Sequence, residues 1–144
     1  MVKLLYYREQ TRHPNHPSWI SKYLNLYGIY PMIIDRLGDW VGANPWIYAS
    51  LDSALSDPAN AGFDWVWMDA KGGVLLDKFE HPEDNVIYCV GSDYIGFDGK
   101  DVMTLPGTKV KLHTLPDYDA EWFASLLVPL ICYDRFLFLE GKRK

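Results

Sequence analysis

From Val86 to Phe97 the chain reads Val-Ile-Tyr-Cys-Val-Gly-Ser-Asp-Tyr-Ile-Gly-Phe, and these residue types in this order suit a ligand-binding loop. The apolar run Val86 to Val90 is rich in β-formers and lacks the polar spacing of a helix, so it predicts a buried strand. Gly91 ends that strand, and a second glycine follows five residues later at Gly96. A loop past the carboxyl end of a buried strand is where open α/β sheets bind ligands. Glycine in such a loop allows the backbone to approach a ligand closely. Two glycines five apart also describe an ordinary turn, and the spacing alone leaves both readings open.

A second polar loop, Arg8 to Pro17, holds Arg12, His13, Asn15 and His16 and is stiffened by Pro14 and Pro17. His13, His16, His81 and His113 each read first as loop histidines rather than acids or bases. Cys89 and Cys132 lie in apolar runs and read as reduced core thiols of a cytosolic protein. With no CxxC spacing and no histidines nearby, the two cysteines suggest no metal site.

The elements that would position these groups alternate between strand and helix. Strands are expected at Val2 to Tyr7, Tyr30 to Ile34, Asp64 to Met68, Val86 to Val90 and Lys109 to His113. A helix follows the Pro17-Ser18 start and stops at Gly28, with Trp19, Ile20, Tyr23, Leu24, Leu26 and Tyr27 on its apolar face. A short helix is expected over Leu51 to Ser56, and a helix or turn over Val74 to Phe79. A last helix runs from Ala120 to about Phe138 with Pro129 inside it, where one backbone hydrogen bond must be lost. The alternation predicts an α/β fold with a mainly parallel sheet. The 144 residues fit one domain, 1–144, with no linker or repeat.

Net charge of −5 excludes a global attraction to nucleic acid or anionic membranes, so any nucleic-acid contact needs local basic groups. Arg8, Arg12, Lys22, Arg36 and the tail Lys142 to Lys144 supply them. No run approaches the roughly 18 apolar residues of a membrane span, and the amino terminus lacks a signal-peptide layout. Aromatic residues make up 15% of the chain, which points to burial or an interface for Trp40, Trp46, Trp65 and Trp67.

Four stretches resemble the motifs of the SPOUT (α/β-knot) methyltransferases, in their TrmH-like (SpoU) branch of RNA ribose 2′-O-methyltransferases. Pro14-Asn15, leading into a helix that ends at Gly28, resembles the family's Pro-x-Asn motif. Ser50-Leu51-Asp52-Ser53-Ala54-Leu55 resembles its Ser-Leu-x-x-Ala-Leu segment. Gly91-Ser92-Asp93-Tyr94-Ile95-Gly96-Phe97 resembles Gly-x-Glu-x-x-Gly-Leu. Leu105-Pro106, the strand Val110 to Thr114 and Ser125 resemble the third motif, Ile-Pro-Met followed by Asn-x-Ser. The chain also departs from the pattern. Counted back from Gly28, the family's helix arginine falls on Lys22. The second-motif glutamate is Asp93, the third-motif proline falls near His113, and the asparagine of Asn-x-Ser falls on Phe123.

The resemblance implies helices on both faces of the sheet, a C-terminal deep trefoil knot, and a homodimer formed through the first and last helices. It implies S-adenosyl-L-methionine as cofactor, held bent among three loops mainly by backbone groups. The residues concerned are Met68, Asp69 and Ala70, then Gly91, Ser92, Asp93 and Gly96, then His113, Thr114 and Leu115. The catalytic candidates are Lys22, Arg12, Asn15 and Ser125, with Arg8 as an alternative carrier of the arginine's role. Each has a plainer reading. Lys22 suits a solvated helix face, Asn15 a turn or cap, and Ser125 close helix packing. The implied activity is 2′-O-methylation of RNA, with tRNA, or else rRNA, as substrate. The alternative is a weakened relative that binds cofactor or RNA without turnover, as Lys22, Asp93 and Phe123 suggest.

Overall fold

The chain begins with a strand, β1 (Val2–Arg8), because Val2 to Tyr7 offers apolar residues on both sides of the pleat and every residue from Lys3 to Tyr7 is buried. Strands buried on both faces read as continuous apolar runs, and β6 (Val86–Val90) is buried at all five positions. In this computed structural model the described residues are 1–9, 16–38, 46–70, 72–112 and 124–143, with the backbone alone described at 16–19, 21, 124 and 125.

The remaining elements follow as α1 (His16–Leu26), β2 (Tyr30–Asp35), β3 (Ile47–Tyr48), α2 (Leu51–Ser56), β4 (Asp64–Met68), β5 (Val74–Leu75), β7 (Thr108–Lys111) and α3 (Ala124–Leu139). Single 3-10 turns lie at Pro58–Asn60, Leu76–Lys78 and Val102–Thr104. The seven strands form one sheet in the order β3-β2-β1-β6-β4-β7-β5. Every pairing in it is parallel. All carboxyl ends therefore lie along one edge of the sheet.

Alternate residues of each central strand serve two different cores. Leu4, Tyr6, Val66, Met68, Val86, Tyr88 and Val90 face Ile20 and Leu24 of α1 and Leu127, Val128, Ile131 and Cys132 of α3. Leu5, Tyr7, Trp65, Trp67, Ile87 and Cys89 face Leu51 and Ala54 of α2, with Phe97, Val102 and Leu105 closing that side. Helices thus cover both faces, as expected. Trp65 and Trp67 stack with their rings 5.5 Å apart inside the second core. Both cysteines are free and buried, and burial pushes the Cys132 thiol up to about 12.

Several boundaries differ from the sequence expectation. Val74 and Leu75 pair with Val110 and Lys111 as the edge strand β5, where a helix or turn was expected. Residues 76–78 supply the turn. The last strand occupies Thr108–Lys111 rather than Lys109 to His113. β3, which pairs with Ile33 and Ile34, was not anticipated, because two residues carry no periodicity. The helix α3 continues through Pro129, where the missing N–H leaves the carbonyl one turn back without its usual donor. The path of residues 113–123, on which threading of the chain depends, lies outside the described residues, as does Trp40.

Candidate functional site

At the carboxyl edge, the segment after β6 folds back on itself. Ser92 and Gly96 exchange both backbone hydrogen bonds, N to O at 2.8 Å and 3.2 Å, closing a five-residue hairpin. Gly96 has φ +58, a conformation a β-carbon disfavours, and this accounts for glycine at the hairpin's end. The Ser92 hydroxyl oxygen accepts the amides of Tyr94 at 3.0 Å and Ile95 at 3.2 Å. Every amide from Ser92 to Gly96 is therefore bonded within the protein, and the hairpin presents the exposed side chains Tyr94 and Ile95.

The neighbouring strand ends lock onto this hairpin. Glu9, just past β1, accepts the Ser92 hydroxyl at 2.9 Å and 2.7 Å on its two carboxylate oxygens and the Asp93 amide at 3.0 Å. Arg36, just past β2, donates to the same carboxylate at 3.3 Å. One register position earlier the charges are reversed, and Arg8 of β1 donates to Asp35 of β2 at 2.8 Å. Burial alone would raise the Asp35 carboxyl, but the Arg8 guanidinium and the Leu37 amide outweigh it and hold it below the ordinary carboxylate range.

On the other side of β6, the chain leaving β4 is pressed against β7. The Asp69 amide donates to the Val110 carbonyl, and the Gly72 amide to the Asp69 carbonyl, each at 3.0 Å. A β-carbon at Gly72 would lie 2.7 to 2.9 Å from the Val110 backbone, so glycine is required by the close approach. The loops after β1, β4 and β6 thus border one stretch of the sheet edge around β6, the central strand.

Of the sequence candidates, Met68, Asp69, Ala70, Gly91, Ser92, Asp93 and Gly96 fall on this edge, at the ends of β4 and β6. Lys22 is exposed on α1. Ser125 falls in the first turn of α3, where only the backbone is described. Arg12, Asn15, His113, Thr114 and Leu115 lie outside the described residues. Arg8, the alternative to Lys22, is paired with Asp35.

Three polar residues that the sequence did not mark are structurally central. Glu9 holds the β6 hairpin. Lys3, 2% exposed, donates to Asn60 at 3.0 Å with its ammonium over the rings of Trp46 at 4.6 Å and Phe63 at 4.5 Å. Burial lowers its pKa, and Asp57 offsets part of that. His81, expected to be a loop histidine, has a fully buried side chain placed between the Tyr88 hydroxyl at 2.8 Å and Asp134 at 2.6 Å. Arg135 donates to Tyr88 at 3.1 Å, and Arg143 pairs with Asp134. This cluster gathers the residue that leads into β6, Tyr88 within the strand and the end of α3, away from the hairpin. No group of metal-ligating side chains occurs among the described residues, and no helix among them is long and apolar enough to cross a membrane.

No family model matches the chain, and no curated protein matches it in sequence. Solved structures match it throughout. One, solved for the 2-OH methylation of C/U34 on tRNA, superposes with TM-score 0.74 at 15% identity over 97% of this chain and 91% of the other. The A. aeolicus TrmH/SpoU tRNA modifying enzyme gives TM-score 0.68 at 16% identity over 98% of this chain and 76% of the enzyme. The SpoU methyltransferase AviRb from Streptomyces viridochromogenes, solved with the cofactor AdoMet, gives 0.69 at 12% identity over 97% and 61%. The chain has the α/β fold of the SpoU/TrmH RNA methyltransferases.

Proposed function

We propose that this protein is an S-adenosylmethionine-dependent RNA methyltransferase of the SpoU/TrmH branch. It acts on a ribose 2′-hydroxyl of tRNA and works in the cytoplasm as a homodimer with a C-terminal trefoil knot. The observation that carries the reading is the Ser92–Gly96 hairpin, set at the carboxyl end of the central strand of this fold beside the loop that leaves β4.

The residues on that edge fit a nucleoside and a sulfonium. Tyr94 and Ile95 offer an exposed apolar surface to a base. The half-buried carboxylates of Asp69 and Asp93 suit a cation and the hydroxyl donors of a ribose. With the hairpin's own amides engaged internally, the loop meets a ligand through carbonyl oxygens and side chains, which match the exocyclic amine of adenine. When bound, the cofactor supplies an activated methyl on a positively charged sulfur, so the chain need not provide a nucleophile.

The tasks left to the chain are to align the acceptor oxygen and to ease loss of its proton. Met68, Asp69, Ala70, Gly91, Ser92, Asp93, Gly96, His113, Thr114 and Leu115 are assigned to the cofactor. Lys22, Arg12, Asn15 and Ser125 are assigned to the acceptor. A lysine there would act as a point charge toward ribose or phosphate, without the bidentate fork of an arginine.

Calorimetry with S-adenosylhomocysteine, followed by methyl transfer from labelled cofactor to total RNA, tests the reading. Binding and transfer are expected, with Lys22→Ala lowering turnover by about 100-fold while cofactor affinity changes less than about threefold. Binding without transfer would identify a weakened relative. Neither binding nor transfer would remove the methyltransferase assignment.

A further inference from the structure

Glu9 is 8% exposed, a burial that glutamate seldom reaches unless paired. Its bonds reach two loops that are far from it in sequence. Ser92 and Asp93, 83 and 84 residues further on, supply the hydroxyl and the amide, and Arg36 supplies the opposite charge. What this does to the hairpin follows from the single proton of a hydroxyl. With that proton directed at Glu9, the lone pairs of Ser92 Oγ are left to accept from Tyr94 and Ile95. Three successive loop amides, those of Asp93, Tyr94 and Ile95, are thus ordered by one carboxylate, directly in the first case and through Ser92 in the other two. A serine-centred turn is common in loops on its own. A buried carboxylate fixing the direction of the serine hydroxyl is not needed for the turn, and it ties the hairpin rigidly to the exit of β1.

We propose that Glu9 is a positioning residue for the β6 hairpin, holding it through Ser92 in the conformation that receives a nucleoside against Tyr94 and Ile95. The proposal rests on the cofactor reading above. Arg36 keeps the buried carboxylate charge-balanced, and Glu9 itself makes no contact with the reacting atoms.

The test combines S-adenosylhomocysteine calorimetry with amide hydrogen exchange on the wild type, Glu9→Ala, Glu9→Gln, Ser92→Ala and the double variant Glu9→Ala/Ser92→Ala. Glu9→Ala should weaken binding about tenfold or more, and Glu9→Gln, which retains one acceptor oxygen, should recover most of it. The double variant should bind no more weakly than the worse single variant, because both residues act through one network. Exchange at Asp93, Tyr94 and Ile95 should quicken about tenfold in Glu9→Ala, with the amides of β4 and β6 unchanged. Where Glu9→Ala does not fold, Glu9→Asp, whose shorter side chain draws the carboxylate back from Ser92, takes its place in the comparison. Wild-type affinity in Glu9→Ala, or in the variant that replaces it, overturns the proposal, and so does unchanged exchange at the three loop amides. If the wild type itself binds no S-adenosylhomocysteine, the cofactor reading fails separately. The exchange result then decides alone whether Glu9 orders the hairpin.

Discussion

The Tyr7 hydroxyl donates a hydrogen bond of 2.9 Å to Asp98, a residue 91 positions further along the chain. The other carboxylate oxygen of Asp98 accepts the Leu51 amide at 2.8 Å, at the start of α2. One side chain therefore joins β1, α2 and the segment that follows the β6 hairpin. Asp98 does this with φ 55, a left-handed conformation that Asp and Asn tolerate better than other side chains. Burial, and then the bond to Asp98, keep the Tyr7 hydroxyl protonated far into the alkaline range.

Asp98→Ala should accordingly be costly, at about 2–4 kcal/mol, since it leaves a buried hydroxyl and an amide without an acceptor. Asp98→Asn should cost less, because it keeps an acceptor and tolerates the backbone. Tyr7→Phe should cost about 1 kcal/mol, the ordinary net value of one hydrogen bond. Urea unfolding of the three variants gives the ranking, and equal midpoints for Asp98→Ala and Asp98→Asn would contradict it.

A pH dependence follows from His81. Burial is the main cause that lowers its pKa from 6.5. Arg143 and Arg135 act in the same direction, and the bond to Asp134 opposes them. The geometry suits a neutral ring whose Nε2 donates to Asp134 and whose Nδ1 accepts from Tyr88. As pH falls through about 6.5 the unfolded chain takes up a proton at this histidine and the folded chain does not. Stability is therefore full above that pH and declines below it, by up to about 1.4 kcal/mol per pH unit, until the folded ring is also protonated. Unfolding midpoints measured between pH 7.5 and 5.5 should fall. A His81→Gln variant should be less stable at pH 7.5 but show a flatter profile, and a parallel decline in both proteins would exclude His81 as the source.

The proposed homodimer has a testable surface. Leu126, Leu130 and Tyr133 of α3 are exposed, at 49%, 42% and 53%, along one side of the helix. Next to them Tyr27 of α1 packs against Phe136 with ring centroids 6.1 Å apart. Leu130→Glu/Tyr133→Glu would bury two unpaired charges in that contact and should weaken association at least about 100-fold. Sedimentation at micromolar concentration should then report a monomer with unchanged circular dichroism. A wild type that sediments as a monomer would remove the homodimer from the reading.

The sequence and the structure agree where a run of residues repeats one environment. Asp64 to Met68 and Val86 to Val90 are legible to the residue because four consecutive positions of the first and all five of the second lie in a doubly packed strand. Leu51 to Ser56 forms the expected short helix, and the structure adds that Ser50 caps its amino end, accepting the Ser53 amide. β3 and β5 escaped because each has two residues and owes its pairing to a neighbour far off in the chain. At the candidate site the hairpin glycines were visible from their spacing, whereas Glu9 was not. A glutamate beside Arg8 and Gln10 looks like any polar loop residue until Ser92 is brought to it across 83 positions. Lys3 and His81 were hidden for the same reason, since their partners Asn60 and Asp134 lie 57 and 53 residues away.

The parallel sheet divides the molecule's vulnerabilities between its two rims. The histidine–arginine cluster at the entrance of the central strand carries the acid sensitivity derived from His81, and it is remote from the rim where the hairpin sits. Substitutions at the exposed hairpin residues Tyr94 and Ile95 leave that cluster intact, whereas Asp98, on the same rim as the hairpin, ties β1 to α2 and does not share their tolerance. Conversely, a solution condition that weakens the cluster would lower the amount of working protein while leaving each surviving copy as competent as before.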